Sequence, residues 1–362
     1  MSRKIWKSIG LMSGTSMDGV DAAIITTDGY KVFEEGPFIT LPYSEDFRRI
    51  LENLIAGKGD LTKIETELTL EHSKAVFTLV RKFNVKVTDI DLIGFHGHTI
   101  SHKPEDRHTL QIGNGKLLAA ITGVDVVNDL RSSDVQAGGQ GAPLAPIYHK
   151  ALMKPQELPS IILNIGGVAN ITWIDTQDKS LIGFDTGPGN ALINDWIQKK
   201  TGAAYDINGV RASKGRVHDD IVGELLQHPY FTAPNPKSLD RNFFKHLSEI
   251  AVAHLSVEDG AATLSAFTIK SITNAINNLS KPFKKCIVAG GGRHNAFLMA
   301  GLKDSFPYQL ISSDDAGLSG DALEAQAFAF LAVRSRLNLP ISFPGTTGVS
   351  KPLSGGVFHP KG

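Results

Sequence analysis

The stretch IGFDTGPGN places a single carboxylate, Asp185, where an apolar run gives way to a Gly-Pro-Gly turn. A carboxylate at the carboxyl end of a strand is placed to face a crevice rather than a core. Asp185 is therefore a candidate general base, a role that needs a proton donor within about 3 Å. The competing role is an Asx-type cap for a helix that starts at Asn190. Two other stretches could hold phosphate. In SGTSMDG, Gly14 to Gly19 lie between two apolar runs, with hydroxyls on Ser13, Thr15 and Ser16 and a carboxylate on Asp18. An ordinary tight turn needs only one or two residues that tolerate positive φ. NIGGVAN, from Asn164 to Asn170, repeats the plan of strand, glycine tip and strand. Successive N–H groups at tips of small residues can form an anion-binding nest, and two such clamps would bracket a polyphosphate. Either tip read alone could equally be a plain hairpin.

Four more groups of residues could do chemistry. Gly290, Gly291 and Gly292 follow the apolar run CIVA and lead to Asn295, which suits a planar ligand lying against backbone, or a structural turn. FHGHTISH carries His96, His98 and His102, and the alternation of His96 and His98 on an extended segment predicts that they share one face. Metal ligation, hydrogen bonding to a substrate and neither role all remain open for them. VVNDLRSSDVQAGGQGAP gathers Asp129, Arg131, Asp134 and Gln140 in a glycine-rich loop. An arginine fork there suits a sugar acid, while a solvated loop fits as well. Glu324 interrupts an otherwise apolar helix, as a paired or functional carboxylate or as a solvent-side residue. No G-x-x-x-x-G-K-[ST] occurs, and GGQGAP matches a dinucleotide fingerprint only loosely because Pro143 interrupts it.

These residues need elements to hold them. Helices are predicted from Ser44, with Phe47, Ile50, Leu51 and Leu54 on one face and Gly57 as the stop, and from Thr62, which has capping-box spacing to Glu65. Others cover NALINDWIQKKTG, with Gly202 at its end, AATLSAFTIKSITNAINNL and GDALEAQAFAFLAVRSRL. Strands are predicted at KSIGLM, VDAAIIT, DLIGFHG, SIILNIG, NITWID, SLIGFDTG, KKCIVAGG and YQLI. Their alternation with helices, and hairpins at two places, indicates an α/β protein with mixed sheets. Residues 8 to 25 and 160 to 174 echo one another, pointing to two domains of related topology. A chain of 362 residues also fits two domains.

Lys plus Arg and Asp plus Glu are balanced at 37 each, so nothing recruits nucleic acid or an anionic membrane. The one cysteine, Cys286, can make neither an internal disulfide nor a zinc site and is read as structural. No apolar run approaches the roughly 20 residues of a membrane span, and cytoplasmic localisation is expected.

In order along the chain, GLMSGTSMDGVDAA, GFHGHTISH, QIGNG, NDLRSSDVQAGGQGAPLAP, NIGGVANIT, GFDTGPGNALIND, AGGGRHN and GDALEAQAFAFLA resemble the anhydro-N-acetylmuramic acid kinases. That family lies within the actin, Hsp70 and sugar-kinase fold group. Leu130 stands where many relatives have Phe. The resemblance implies a two-domain actin-like ATPase (ribonuclease H-like) fold with a cleft between lobes. One lobe would hold residues 1–130 with about 346–362, the other residues 131–345. It implies ATP and Mg²⁺, with Gly14, Thr15, Ser16, Met17, Asp18, Gly19 and Asp21 at the first phosphate hairpin. Gly166, Gly167 and Asn170 would form the second hairpin, and Gly290, Gly291, Gly292 and Asn295 would lie near the adenosine. Asp185 would be the base, with Glu324 in support. His98, Asp129 and Arg131 would contact the sugar, and no protein metal ligand is assigned. Lobe closure would exclude bulk water, and a homodimer is compatible with the family. The implied reaction opens the 1,6-anhydro bridge of anhydro-N-acetylmuramic acid with water and phosphorylates the released O6, giving N-acetylmuramic acid 6-phosphate in peptidoglycan recycling. Another sugar or carboxylate kinase of this fold, a nucleotide or sugar sensor, and a plain anhydro-sugar hydrolase are the alternatives.

Overall fold

The computed structural model describes residues 3–14, 17–176, 180–279 and 281–362. The chain divides into two compact units, Met1–Leu152 with Ala322–Gly362, and Met153–Asp321. The divisions expected near 130 and 345 fall inside the first unit. The reason is the helix Leu323–Arg336, which packs on the first unit's sheet and brings the rest of the C-terminal segment with it.

The first unit opens with β1 (Trp6–Ser13), β2 (Gly19–Thr27) and β3 (Val32–Pro42), an antiparallel meander. It continues through β4 (Leu92–Lys103), β5 (His108–Ile112) and β6 (Val126–Asn128). Strand β4 runs parallel to β1 and to β6, while β5 pairs antiparallel with β4. The second unit builds β7 (Ser160–Ile165), β8 (Val168–Ile174) and β9 (Ile182–Pro188) as another antiparallel meander. Strands β10 (Lys285–Ala289) and β11 (Gln309–Ser312) then add in parallel beside β7. The chain returns to the first sheet with β12 (Val357–His359), antiparallel to β6.

The orders β3-β2-β1-β4-β6 and β9-β8-β7-β10-β11 are the same topology written twice. The echo between residues 8–25 and 160–174 is thus the opening hairpin of each copy, and the fold is the mixed-sheet α/β arrangement of the actin-like, ribonuclease H-like class.

Packing explains where the glycines of β1 and β4 come from. A Cβ at Gly10 would collide with the Ala325 carbonyl, and one at Gly94 with the Phe328 carbonyl. The Leu323–Arg336 helix therefore lies against the sheet backbone, and Ala325, Ala329 and Ala332 on it are buried. On the opposite face, Leu51 and Leu54 of the helix Glu45–Ile55 join Leu68, Val76 and Leu79 of the helix Leu61–Lys82 over Ile9, Leu11 and Ile93.

Ser44 caps the Glu45–Ile55 helix by accepting from the Phe47 N–H at 3.1 Å, as its spacing predicts, and Gly57 follows the end at φ +77°. The next helix begins earlier than its capping-box spacing suggests. Asp60 is the cap, accepting from the Lys63 N–H at 3.2 Å. In the second unit the core forms around Ile161, Leu163, Trp173, Trp196, Phe267 and Val288. Cys286 is buried there, its thiol pushed up to about 12 by desolvation.

Candidate functional site

In the first unit the candidate residues gather at the carboxyl ends of β1 and β6 and in the middle of β4. The Gly14 carbonyl accepts from the Met17 N–H at 3.0 Å, closing the β1–β2 tip. Met17 takes φ +55°, a left-handed conformation unusual for its side chain. Thr15 and Ser16 lie outside the described residues. Asp18 is exposed, and its carbonyl accepts from the Tyr43 N–H at 3.1 Å. Gly19 has a structural reason of its own, since a Cβ there would collide with the Leu41 carbonyl of β3. Asp21 receives the Thr40 hydroxyl at 2.6 Å across β2 and β3.

His96 and His98 do not share a face. Gly97 takes φ +73°, and the β1–β4 register shifts between Leu11 and Ser13. This bulge breaks the two-residue alternation. His96 turns to the Leu323–Arg336 helix, where its ring lies 4.5 Å from that of Phe328. It accepts from Arg131 Nε at 3.1 Å through Nε2, with Nδ1 at 3.0 Å from the Gly97 carbonyl. Burial, with the Arg131 charge beside it, holds its imidazole well below the usual range.

His98 pairs with Ser13 in register, with Nδ1 3.0 Å from Ser13 Oγ, and Ser13 in turn accepts from Tyr43 OH at 2.9 Å. The His98 imidazole is fully buried and pushed down to about 4 by desolvation, so it is neutral at pH 7. Its Nε2 has no hydrogen-bond partner among the described residues.

Beyond β6, Asp129 takes φ +49° and accepts from the Ser132 hydroxyl. Arg131 also donates to the Gly141 carbonyl at 3.0 Å. Asp134 is buried and structural. It accepts from the Gly141 N–H at 2.7 Å and the Thr347 hydroxyl at 2.6 Å, which fastens the glycine-rich loop to the C-terminal segment.

The second unit assembles its candidates around the β7–β8 tip. The Gly166 carbonyl accepts from the Asn190 N–H at 2.8 Å, and the Gly167 carbonyl from the N–H groups of Gly189 at 2.9 Å and Ala191 at 3.2 Å. Peptide units are planar and trans. With those carbonyls turned to the helix Ala191–Thr201, the Gly167 and Val168 N–H groups point the opposite way. Nothing in the fold asks for glycine at this tip. The nearest atoms to a Cβ would be Val168 O at 3.6 Å for Gly166 and Ala191 Cβ at 3.7 Å for Gly167, and neither takes a left-handed φ. Bare backbone with outward N–H groups is the cradle that an anion needs.

Asn164, Asn170 and Asp185 stand opposite one another across β7, β8 and β9. Asp185 is only 8% exposed. Its Oδ2 accepts from the Leu239 N–H at 2.8 Å, its N–H donates to the Lys237 carbonyl at 3.0 Å, and Tyr230 OH donates to its carbonyl at 2.6 Å. One carboxylate oxygen is therefore bound to the 237–239 loop. Burial, reinforced by the Asp185 charge, raises the Tyr230 phenol. Lys237 donates to the Tyr230 carbonyl at 2.7 Å, and desolvation lowers its ammonium.

The 290–292 loop abuts the end of β7. Gly290 takes φ +73° and has no room for a Cβ beside Asn164 Oδ1, while a Cβ at Gly292 would collide with Ile165. Gly291 alone is open, with nothing within 4 Å of a Cβ. Asn295 caps the helix Ala296–Ser305, accepting from the Phe297 and Leu298 N–H groups at 3.1 and 3.2 Å. Arg293 forks onto Asp321, donates to Asp314 at 2.9 Å and to the Gly290 carbonyl at 3.0 Å, and so braces the loop from behind.

The fold therefore brings Gly166, Gly167, Asn170, Asp185 and Gly290–Gly292 to one end of the second sheet. Gly14, Met17, Asp18, His98, Asp129 and Arg131 gather at the equivalent end of the first. Glu324 is a residue of the first unit, exposed on the opening turn of the Leu323–Arg336 helix. Tyr43 is a further candidate in the first unit, beside Ser13, and Asn164, Tyr230 and Lys237 are further candidates in the second, around Asp185. Asn164 was signalled by its mirror position to Asn170 across a glycine tip, whereas PNPKSLD shows no periodicity to single out Lys237. Among the described residues no cluster of three His, Cys, Asp or Glu side chains could hold a metal, and no helix is long and apolar enough to cross a membrane.

Residues 6–361 match the family model for anhydro-N-acetylmuramic acid kinase. The chain is 47% identical over 352 residues to the anhydro-N-acetylmuramic acid kinase of Paramagnetospirillum magneticum, covering 97% of this chain and 99% of that protein. It is 46% identical to the kinase of the same name from Rhodospirillum rubrum, covering 98% and 94%. Among solved structures, the (R)-2-hydroxyglutaryl-CoA dehydratase component A of Acidaminococcus fermentans aligns over 92% of this chain and 99% of its own. That likeness, at 10% identity and a TM-score of 0.49, is distant, and the fold assignment rests on the strand order itself. Matched almost from end to end by the family model, and sharing nearly half its residues with these relatives, the chain belongs to the anhydro-N-acetylmuramic acid kinase family.

Proposed function

We propose that this protein opens the 1,6-anhydro bridge of anhydro-N-acetylmuramic acid with water and transfers the terminal phosphoryl group of ATP to the O6 so released. The products are N-acetylmuramic acid 6-phosphate and ADP, and the reaction serves peptidoglycan recycling in the cytoplasm. The observation that carries the reading is the β7–β8 tip. Its two glycines have no steric reason within the chain, and their neighbouring N–H groups face outward one strand away from a buried, immobilised carboxylate.

Asp185 acts as the base. It takes a proton from water as the water oxygen bonds to C1, and the C1–O6 bond breaks with its electron pair going to O6. O6 then accepts the phosphoryl group. Bridge opening thus makes the nucleophile that the second step uses. Leu239 and Tyr230 hold Asp185 in place, so its carboxylate loses no freedom on meeting the water.

Phosphoryl transfer needs mainly positioning and neutralisation of charge. The Gly166–Gly167 tip with Asn170, and the Gly14–Gly19 tip with Asp21, would supply positioning through backbone donors. Gly290–Gly292 and Asn295 would face the adenosine, where Gly291 is the open position. A carboxylate such as that of Asp185 suits a hard, oxygen-seeking cation that is otherwise ligated by phosphate and water. Mg²⁺, when bound, would neutralise charge on the phosphates. His98, Asp129 and Arg131 would face the sugar.

The direct test is ATP consumption with anhydro-N-acetylmuramic acid, N-acetylmuramic acid and N-acetylglucosamine in parallel. ADP release only with the anhydro sugar is expected. Equal or faster turnover with either of the other sugars overturns the assignment.

A further inference from the structure

Beside the β7–β8 tip, one long side chain passes the place that a residue larger than glycine would fill. A Cβ at Gly167 would lie 3.8 Å from both Cγ and Cδ of Arg241, and 3.7 Å from Ala191 Cβ. The Arg241 stem therefore runs past the tip. Its guanidinium reaches Asp195, one turn beyond Ala191 on the helix Ala191–Thr201. Nη2 donates to Asp195 Oδ1 at 2.8 Å and Nη1 to Asn242 Oδ1 at 3.4 Å. A guanidinium has five N–H donors, so most of this one's are left for another partner. The Arg241 side chain is 26% exposed, and Gly166 and Gly167 are themselves only half-buried. Solvent, and hence a ligand, reaches both.

A phosphate chain at this tip needs positive charge as well as backbone donors. The start of the helix Ala191–Thr201 does not offer its own donors, because the N–H groups of Gly189, Asn190 and Ala191 are taken by the tip carbonyls. Two other cations near the candidate residues are engaged. Lys237 donates to the carbonyls of Tyr230 at 2.7 Å and Ala233 at 3.4 Å, and Arg293 to Asp321, Asp314 and the Gly290 carbonyl. Arg241 differs, because its counter-ion is shared. Lys245 Nζ also lies 3.5 Å from Asp195 Oδ2, so two cations meet one carboxylate. Asp240, the carboxylate next along the chain, accepts from the Asn242 N–H at 2.8 Å. The same short segment carries Leu239, whose N–H holds Asp185. One stretch of chain thus delivers both a hold on the carboxylate and a cation to the glycine tip.

We infer that Arg241 is a phosphate-binding residue of the second unit, its guanidinium forking onto the phosphate chain of a nucleotide that lies against the Gly166–Gly167 backbone. This rests on the nucleotide reading above and adds to it a side chain that carries charge. The planar fork of an arginine matches phosphate oxygens in pairs, and a stem already packed beside the tip has little freedom left to lose. Asp195 keeps the guanidinium beside the tip in the free protein. Lys245 remains to neutralise Asp195 when Arg241 turns to the phosphate.

The test is calorimetry on the full chain with a non-hydrolysable ATP analogue, tripolyphosphate and adenosine. Arg241→Gln is expected to raise Kd for the analogue and for tripolyphosphate about tenfold or more and to leave Kd for adenosine unchanged. Arg241→Lys, which keeps the charge and loses the fork, recovers part of that loss. Asp195→Asn breaks the ion pair but leaves the arginine, and it weakens neither phosphate ligand. An Arg241→Gln variant that binds the analogue normally overturns the proposal, as does one that loses adenosine equally. So does an Asp195→Asn variant that loses as much affinity as Arg241→Gln, because the ion pair would then serve only to brace the 237–245 segment. If Arg241→Gln fails to fold, Arg241→Lys and Asp195→Asn decide the matter between them. Gly167→Val keeps the two claims apart. If it loses affinity for the analogue while Arg241→Gln does not, only this inference falls. If both variants bind the analogue normally, the tip is not the nucleotide site and the reading beneath falls with it.

Discussion

Glycines in this chain are glycine for two different reasons, and substitution separates them. Gly166, Gly167 and Gly291 have room for a Cβ and no left-handed φ, so nothing within the chain excludes a side chain there. Gly167→Val is expected to leave the urea unfolding midpoint within the range of a neutral surface change, about 0.5 kcal/mol, while raising KM for ATP at least about tenfold through lost phosphate contact. A variant with normal ATP kinetics would remove this tip from the nucleotide site. At Asp185, Asn keeps the shape and the hydrogen bond from Leu239 but cannot accept a proton. Turnover should fall by about 10² to 10⁴, with ATP binding, read by calorimetry, unchanged. Asp185 stands out in the sequence as a carboxylate at a strand end before Gly-Pro-Gly, but the structure sets it in the middle of β9, which runs on through Pro188. The contact that one of its carboxylate oxygens makes with Leu239 is one that sequence spacing could not show. His98 was legible as a candidate, but its neighbours were not, since Ser13 and Tyr43 meet it only through the β1–β4 register and the entry of the following chain.

Among the elements, the helix Leu323–Arg336 decides how the first sheet is covered. Its alanines approach β1 and β4 at Gly10 and Gly94, where the added methyl of an alanine has nowhere to go. Gly10→Ala and Gly94→Ala should each cost about 1 to 3 kcal/mol or more, seen as a lower urea midpoint. A midpoint equal to that of the unmodified protein would mean that the helix packs less closely than described. The helix itself was plain in the sequence as an unbroken run of Ala, Leu and Phe. Both hairpins were too, because glycine tips between apolar runs leave little alternative. Strand β3 was not, since Glu34, Glu35, Gly36 and Pro37 break its alternation. It is an edge strand with register shifts against β2, where pairing rather than side-chain pattern makes the strand. The bulge at Gly97 was hidden for a related reason. An inserted residue moves everything after it to the other face, and only the paired structure reveals it, through the β1–β4 register shift and the positive φ of Gly97.

Taken as a whole molecule, the chain is one topology used twice, which the echo of its two glycine hairpins foreshadowed. The division between the units was harder to read, because the C-terminal helix returns to the first unit through contacts that are remote in sequence. The first unit also concentrates buried neutral imidazoles. His72, His98 and His149 are each pushed down to about 4 by burial. Their folded values lie below the ordinary value near 6.5, so the unfolded chain binds more protons as pH falls. Their stabilisation is complete above about pH 6.5 and is lost toward pH 4. Each should remove on the order of 2 kcal/mol between pH 7 and pH 5, and urea midpoints that stay flat over that interval would contradict this. The most direct test of the function is the mass of the product made in ¹⁸O-water from anhydro-N-acetylmuramic acid and ATP, by the unmodified protein and by Asp185→Asn. The unmodified protein should yield a sugar that has gained one phosphoryl group and one water, the ¹⁸O at C1, and Asp185→Asn should yield almost none. A phosphorylated sugar with its bridge intact, or full product from Asp185→Asn, would contradict it.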